Sequence, residues 1–154
     1  MSAREREYQT SIVVEYQNLF SIARDEYFED GIESDFSTEL AKLFQRDGHQ
    51  AVDIIANLLN DKHVNPEVVG ETLRCIGEIE NADTHLQRRL LLENSLRHSS
   101  PIVRDRAGLG LASMDDPAAI PALEQAIARE QIVQLREDLQ QVLDQLIATQ
   151  AEQN

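Results

Sequence analysis

The sequence predicts an all-α fold, a right-handed α-solenoid (superhelix) of about three to four antiparallel helix pairs with an amino-terminal capping helix. Three observations carry that prediction: an apolar pattern recurring at a nearly constant offset, helical spacing inside each copy, and a polar turn between the halves of a copy. The organisation that follows is a cap and acidic aromatic loop over residues 1–34, repeats over 35–147 and a tail over 148–154.

The cap comes first. Residues 5–29 read as one long helix, because Tyr8, Ile12, Tyr16, Leu19, Phe20, Ala23 and Tyr27 keep helical spacing. A solenoid exposes the core of its first unit, and such a helix covers it. All seven aromatics, 4 Phe and 3 Tyr, precede residue 45. Beside them DEYFEDGIESDF carries Asp25, Glu26, Glu29, Asp30, Glu33 and Asp35 without one basic residue. Two readings stand open. In one, Tyr27, Phe28 and Phe36 anchor a partner while Asp30, Glu33 and Asp35 steer it. In the other, Phe28 and Phe36 plug the cap onto the first repeat, and the acids are simply solvated. A calcium loop is excluded: with Gly31 sixth, Ser37 stands where the bidentate glutamate belongs.

The repeats begin with STELAKLFQR, apolar at Leu40, Leu43 and Phe44, followed by a second helix over about 49–60. In the next unit Pro66 falls over Pro101, an offset of 35. Val68 then meets Val103, Cys75 meets Gly110, Ile76 meets Leu111 and Asn81 meets Asp116. Its second helix is expected over 84–97, with Leu86, Leu90, Leu92 and Leu96 facing inward.

The third unit is the clearest. Val103, Ala107, Gly110, Leu111 and Met114 share one helical face; Asp116 is placed to cap the helix over 117–129, with Pro117 first inside it. HSSP offers the same serine-then-proline start at 98–101. A further copy starts near Leu135, bringing Leu139, Leu143 and Leu146 onto Ala107, Leu111 and Met114.

Gly108 and Gly110 sit inside a helix, where each costs about 1 kcal/mol relative to alanine. A phosphate loop would place its glycines between a strand and a helix. They are therefore expected to let a neighbouring helix come close.

SPIVRDRAGLGLASMDDPAAIPALEQAI resembles a HEAT-repeat unit of the short bacterial kind, found also in phycobilisome-lyase-like proteins. Val103-Arg104, the small-residue run Ala107 to Ala112, Asp115-Asp116 and Ala119-Ile120-Pro121-Ala122-Leu123 carry the likeness. The unit at 65–98 departs from it, with Val69 in place of the arginine and no ile-pro-ala-leu run. The resemblance implies that the second helix of each unit lines the partner surface. Once inward positions are removed, that surface comprises Gln50, Asp53 and Asn57, then Gln87, Arg88 and Leu91, then Pro121, Gln125 and Arg129.

Composition sets the chemistry. The chain carries 28 acidic against 14 basic residues, a net charge of −14, so it repels phosphate backbones and direct nucleic-acid binding is disfavoured. The single cysteine, Cys75, cannot form an internal disulfide and lies in an apolar run, as in a reducing compartment. No secretory signal and no membrane-length apolar stretch stand in the sequence, so the cytoplasm is the expected location. His49, His63, His85 and His98 form no metal-ligand spacing, and no nucleophile or phosphate-loop motif occurs. No metal, cofactor or catalytic residue is expected.

The reading is a non-enzymatic protein-binding module: an adaptor, assembly factor or inhibitor of a partner with a basic patch, in a sharper form an immunity or antitoxin-like inhibitor. The alternative implied by the resemblance is a phycobilisome-lyase-like protein acting on bilin chromophores or phycobiliproteins. The oligomeric state is left open.

Overall fold

Two rows of antiparallel helices stack along the chain in the computed structural model, which describes residues 1–28 and 33–154. The helices are α1 (Ala3–Ala23), α2 (Asp35–Asp47), α3 (His49–Leu59), α4 (Pro66–Glu78), α5 (His85–Ser95), α6 (Pro101–Met114), α7 (Ile120–Arg129) and α8 (Val133–Gln153). Pairs α2–α3, α4–α5 and α6–α7 are the repeat units. α1 packs on the first pair, while α8 closes the other end against α6 and α7. α8 begins a further unit and continues helically through the residues expected as a tail.

The start signals do what their chemistry dictates, with one exception. Asn65 accepts the Glu67 N–H at 2.8 Å before Pro66, and Ser34 accepts the Ser37 N–H at 3.0 Å. The equivalent residues Asn81 and Asp116 each open a short 3-10 turn, accepting the N–H of Thr84 (3.2 Å) and Ala118 (2.9 Å). The exception is Ser100, whose side chain makes no cap bond; its N–H instead donates to His98 Nδ1 at 3.0 Å.

α1 stops at Ala23, short of the expected residue 29. Asp25 and Glu26 turn back onto Ile22 and Ala23 by backbone bonds of 3.3 and 3.0 Å. The Glu26 carboxylate then accepts the Asp35 N–H at 2.9 Å, so the chain leaves α1 to cap α2. The aromatics seal that junction: Phe20 meets Phe36 edge-on at 5.3 Å, and Phe28 lies 6.0 Å from Phe36.

α4 is the centre of the stack. Its residues from Val68 to Gly77 are all buried, between α2 and α6. A Cβ added at Gly77 would strike the Gly110 backbone, and one at Gly110 would lie 2.7 Å from Leu92 Cδ2 and 2.8 Å from the Leu73 carbonyl. At these two positions the helices touch backbone to backbone, as their placement inside helices required. Gly77→Ala is expected to cost about 2 kcal/mol or more of unfolding free energy, because two backbones must part. At Gly108 a new methyl meets only the terminal Cδ2 of Leu139 at 2.7 Å, which can rotate aside. Gly108→Ala is therefore expected to lie within about 1 kcal/mol of wild type. Urea unfolding of both variants checks the order; equal costs would remove the close-approach argument.

Candidate protein-binding surface

The second helices of the units, α3, α5 and α7, form a row whose inner faces join the core. α3 buries Ala51, Val52, Ile54, Ile55 and Leu59, which leaves Asp53 and Asn57 exposed. α7 buries Leu123 and Ala126 and exposes Pro121, Glu124 and Gln125. Polar ties link the row: His49 Nδ1 lies 2.5 Å from Gln87 Oε1, and His85 Nε2 lies 2.8 Å from Asp116 Oδ2.

α5 sits rotated relative to the sequence expectation. Its inward stripe is Thr84, Arg88, Leu92 and Leu96, while Leu86 and Leu90 are 56% and 50% exposed. Arg88 is corrected from surface to core. It is 3% exposed, and its guanidinium donates to the Ile76 carbonyl (3.1 Å), the Asn81 carbonyl (2.9 Å) and Thr84 Oγ1 (3.0 Å). Burial pushes its pKa down from the usual arginine value. Leu91, expected as an exposed contact, is half-buried against the core, and Gln87 and Gln50 are half-buried.

In the amino-terminal loop, Tyr27 is 83% exposed and Glu33 and Asp35 are exposed. Phe36 is corrected: at 1% exposure it cannot meet a partner and instead plugs the cap, with Phe28 half-buried over it. Asp30 lies outside the described residues. Arg129 is exposed in the last turn of α7, at the edge of the row.

Groups with chemical potential are spoken for. Cys75 is 5% exposed, its thiol faces the Ser37 carbonyl at 3.6 Å, and burial pushes its pKa up to about 12. Among the described residues no three His, Cys, Asp or Glu side chains come together as a metal site. Arg74 holds Glu71 at 2.5 Å and Glu78 at 2.8 Å within and beside the core. From α6, Arg104 grips Glu130 in the turn between α7 and α8 with two bonds, 2.7 and 3.1 Å. That grip holds the Glu130 carboxyl below the usual glutamate range.

A family model described as HEAT repeats matches residues 52–144. The structure of human deoxyhypusine hydroxylase in complex with glycerol is similar in fold, with a TM-score of 0.62 and 19% identity over 94% of this chain. The chain spans about half the length of that enzyme, 48%. No curated protein matches the chain. No helix among the described residues is long and apolar enough to cross a membrane.

Two outcomes are expected from the paired groups. Arg88→Met leaves the Ile76 carbonyl without a donor, while Asn81 keeps the Thr84 N–H, and should cost about 2–3 kcal/mol, read by urea unfolding. Glu130 has a lowered folded pKa, so its pair contributes stability above the unfolded glutamate pKa and loses it as the pH falls through the folded value. Glu130→Gln should therefore lower stability near neutral pH and shrink the loss of stability between about pH 5 and pH 3. An unchanged acid dependence would show that Arg104 does not favour the ionised form.

Proposed function

The chain belongs to the HEAT-repeat family, and from that premise we propose that it is a non-catalytic protein-binding module acting on a partner with a basic patch. The observation that supports this reading is the outer face of the second-helix row. Leu86 and Leu90 stand one turn apart on α5, about half exposed and flanked along the row by Asp53 and Glu124. An apolar pair within an acidic surface combines an anchor with charge that draws a basic surface and repels an acidic one. The net charge of −14 extends the attraction beyond the contact itself. The rigid stack loses little freedom on binding, so the exposed side chains are not spent on ordering the scaffold. An inhibitor that covers a basic active surface is the sharper form of this reading.

The test is capture and cross-linking from the native host with wild type and Leu86→Ser/Leu90→Ser, both confirmed helical by circular dichroism. A basic protein recovered by wild type should bind the double variant about a hundredfold more weakly, the effect of withdrawing two leucines from an interface. Equal recovery by both proteins would move the site off α5. Recovery of no basic protein would sink the reading.

A further inference from the structure

The loops between units, on the opposite edge from the turns within units, carry a different charge from the rest of the chain. There a groove of about 570 Å³ lies between the α5–α6 loop and the α7–α8 loop. Arg97 and Arg129 line it, are exposed and have no ion-pair partner among the described residues. Arg136, outside this lining, donates to the backbone of one wall residue, the Glu130 carbonyl, at 3.2 Å. The acid in the wall, Glu130, is 8% exposed and already bound by Arg104 on both oxygens. Two unpaired arginines thus line one groove whose own carboxylate is neutralised by Arg104, in a chain with twice as many acids as bases.

The floor supplies the second half of the chemistry. Leu96, Ala126 and Ile132 line the groove, and Ile132 is 43% exposed. Unpaired guanidiniums above apolar side chains suit a carboxylate with a hydrocarbon stem beside it. A long polyanion is a poorer fit. The Debye length is about 8 Å at physiological salt, so a short anion senses the arginines while an extended one also meets the surrounding acids. Asp61 and Glu67 occupy the neighbouring loop and the first turn of α4 on this same edge.

We propose that the groove between the α5–α6 and α7–α8 loops binds an acidic peptide segment, its carboxylates on Arg97 and Arg129 and an apolar residue over Leu96 and Ile132. The site is separate from the Leu86/Leu90 surface and does not rest on the function proposed above.

The test uses a short fluorescein-labelled peptide alternating Glu and Leu, its Gln-for-Glu counterpart, and a labelled single-stranded oligothymidylate of similar length, read by anisotropy. Wild type should bind the Glu peptide, and binding should weaken as salt rises. Arg97→Gln/Arg129→Gln, which removes no internal contact, should bind it about a hundredfold more weakly, roughly tenfold for each charge-assisted contact. Leu86→Ser/Leu90→Ser should bind it like wild type. Absent binding, equal binding of the Gln peptide, or no loss in the arginine variant would overturn the proposal. Tighter binding of the oligonucleotide would overturn it in favour of a phosphate site.

Discussion

The contact between α4 and α6 sets the geometry of everything else. Gly77 and Gly110 bring the two backbones together, and a helix that close leaves no solvent on either side of it. The burial of α4 from Val68 to Gly77 follows. So does the need to satisfy polar side chains within the stack. Thr72 donates back to the Val68 carbonyl at 2.7 Å, and Arg74 is clasped by Glu71 and Glu78. Glu71 in turn accepts from Ser34 at 3.3 Å, which ties the start of α2 to the same network. A buried charge is tolerable here because its partners are fixed by the same close approach that excludes water.

Arg88 solves a related problem at the turn within a unit. Where α4 ends, the carbonyl of Ile76 loses its helical partner, and an unpaired buried carbonyl is costly; Asn81, at the head of the next turn, keeps only the Thr84 N–H at 3.3 Å. One guanidinium reaches both and Thr84 as well. The next turn uses another device. Asp115 adopts the left-handed conformation at φ 50°, and its carboxylate accepts from Thr149 at 2.8 Å and Gln145 at 3.0 Å on α8. The first device closes a unit on itself and the second fastens a unit to α8, so the surfaces the second helices present are held by the core.

Much of this was legible in the residues. The offset between Pro66 and Pro101 predicted two units whose turns really are equivalent, with Asn81 and Asp116 as matching caps. Of the two glycines read as points of close approach, Gly110 meets the Leu73 carbonyl across the helix contact, while Gly108 meets only the end of the Leu139 side chain. The rotation of α5 was not legible. Five leucines between 86 and 96 satisfy more than one helical face, so periodicity did not choose between them. What distinguishes the faces is the preceding turn, where Arg88 reaches the Ile76 and Asn81 carbonyls and Leu86 and Leu90 are left outside. An arginine four residues after a threonine, just beyond an asparagine cap, was the signal on offer. The length of α1 was misread for a similar reason: the pattern ran on to Tyr27, but Glu26 was needed to cap α2.

Net charge is the other place where an average conceals an arrangement. The value of −14 predicts repulsion of anions by the molecule as a whole. Yet arginines divide by task. Arg46, Arg89 and Arg104 are paired with carboxylates on other elements, and Arg74 with two on its own helix. Arg97 and Arg129 have no such partner among the described residues and meet where the loops between units come together. Screening over about 8 Å makes the local set, not the sum, decide what binds at contact. The paired arginines cancel acids elsewhere without adding positive potential, so Arg97 and Arg129 stand out more sharply than their number suggests. A repeat stack produces this pattern readily: successive loops return to the same edge, and residues about a unit apart in sequence, such as Arg97 and Arg129, become neighbours in space.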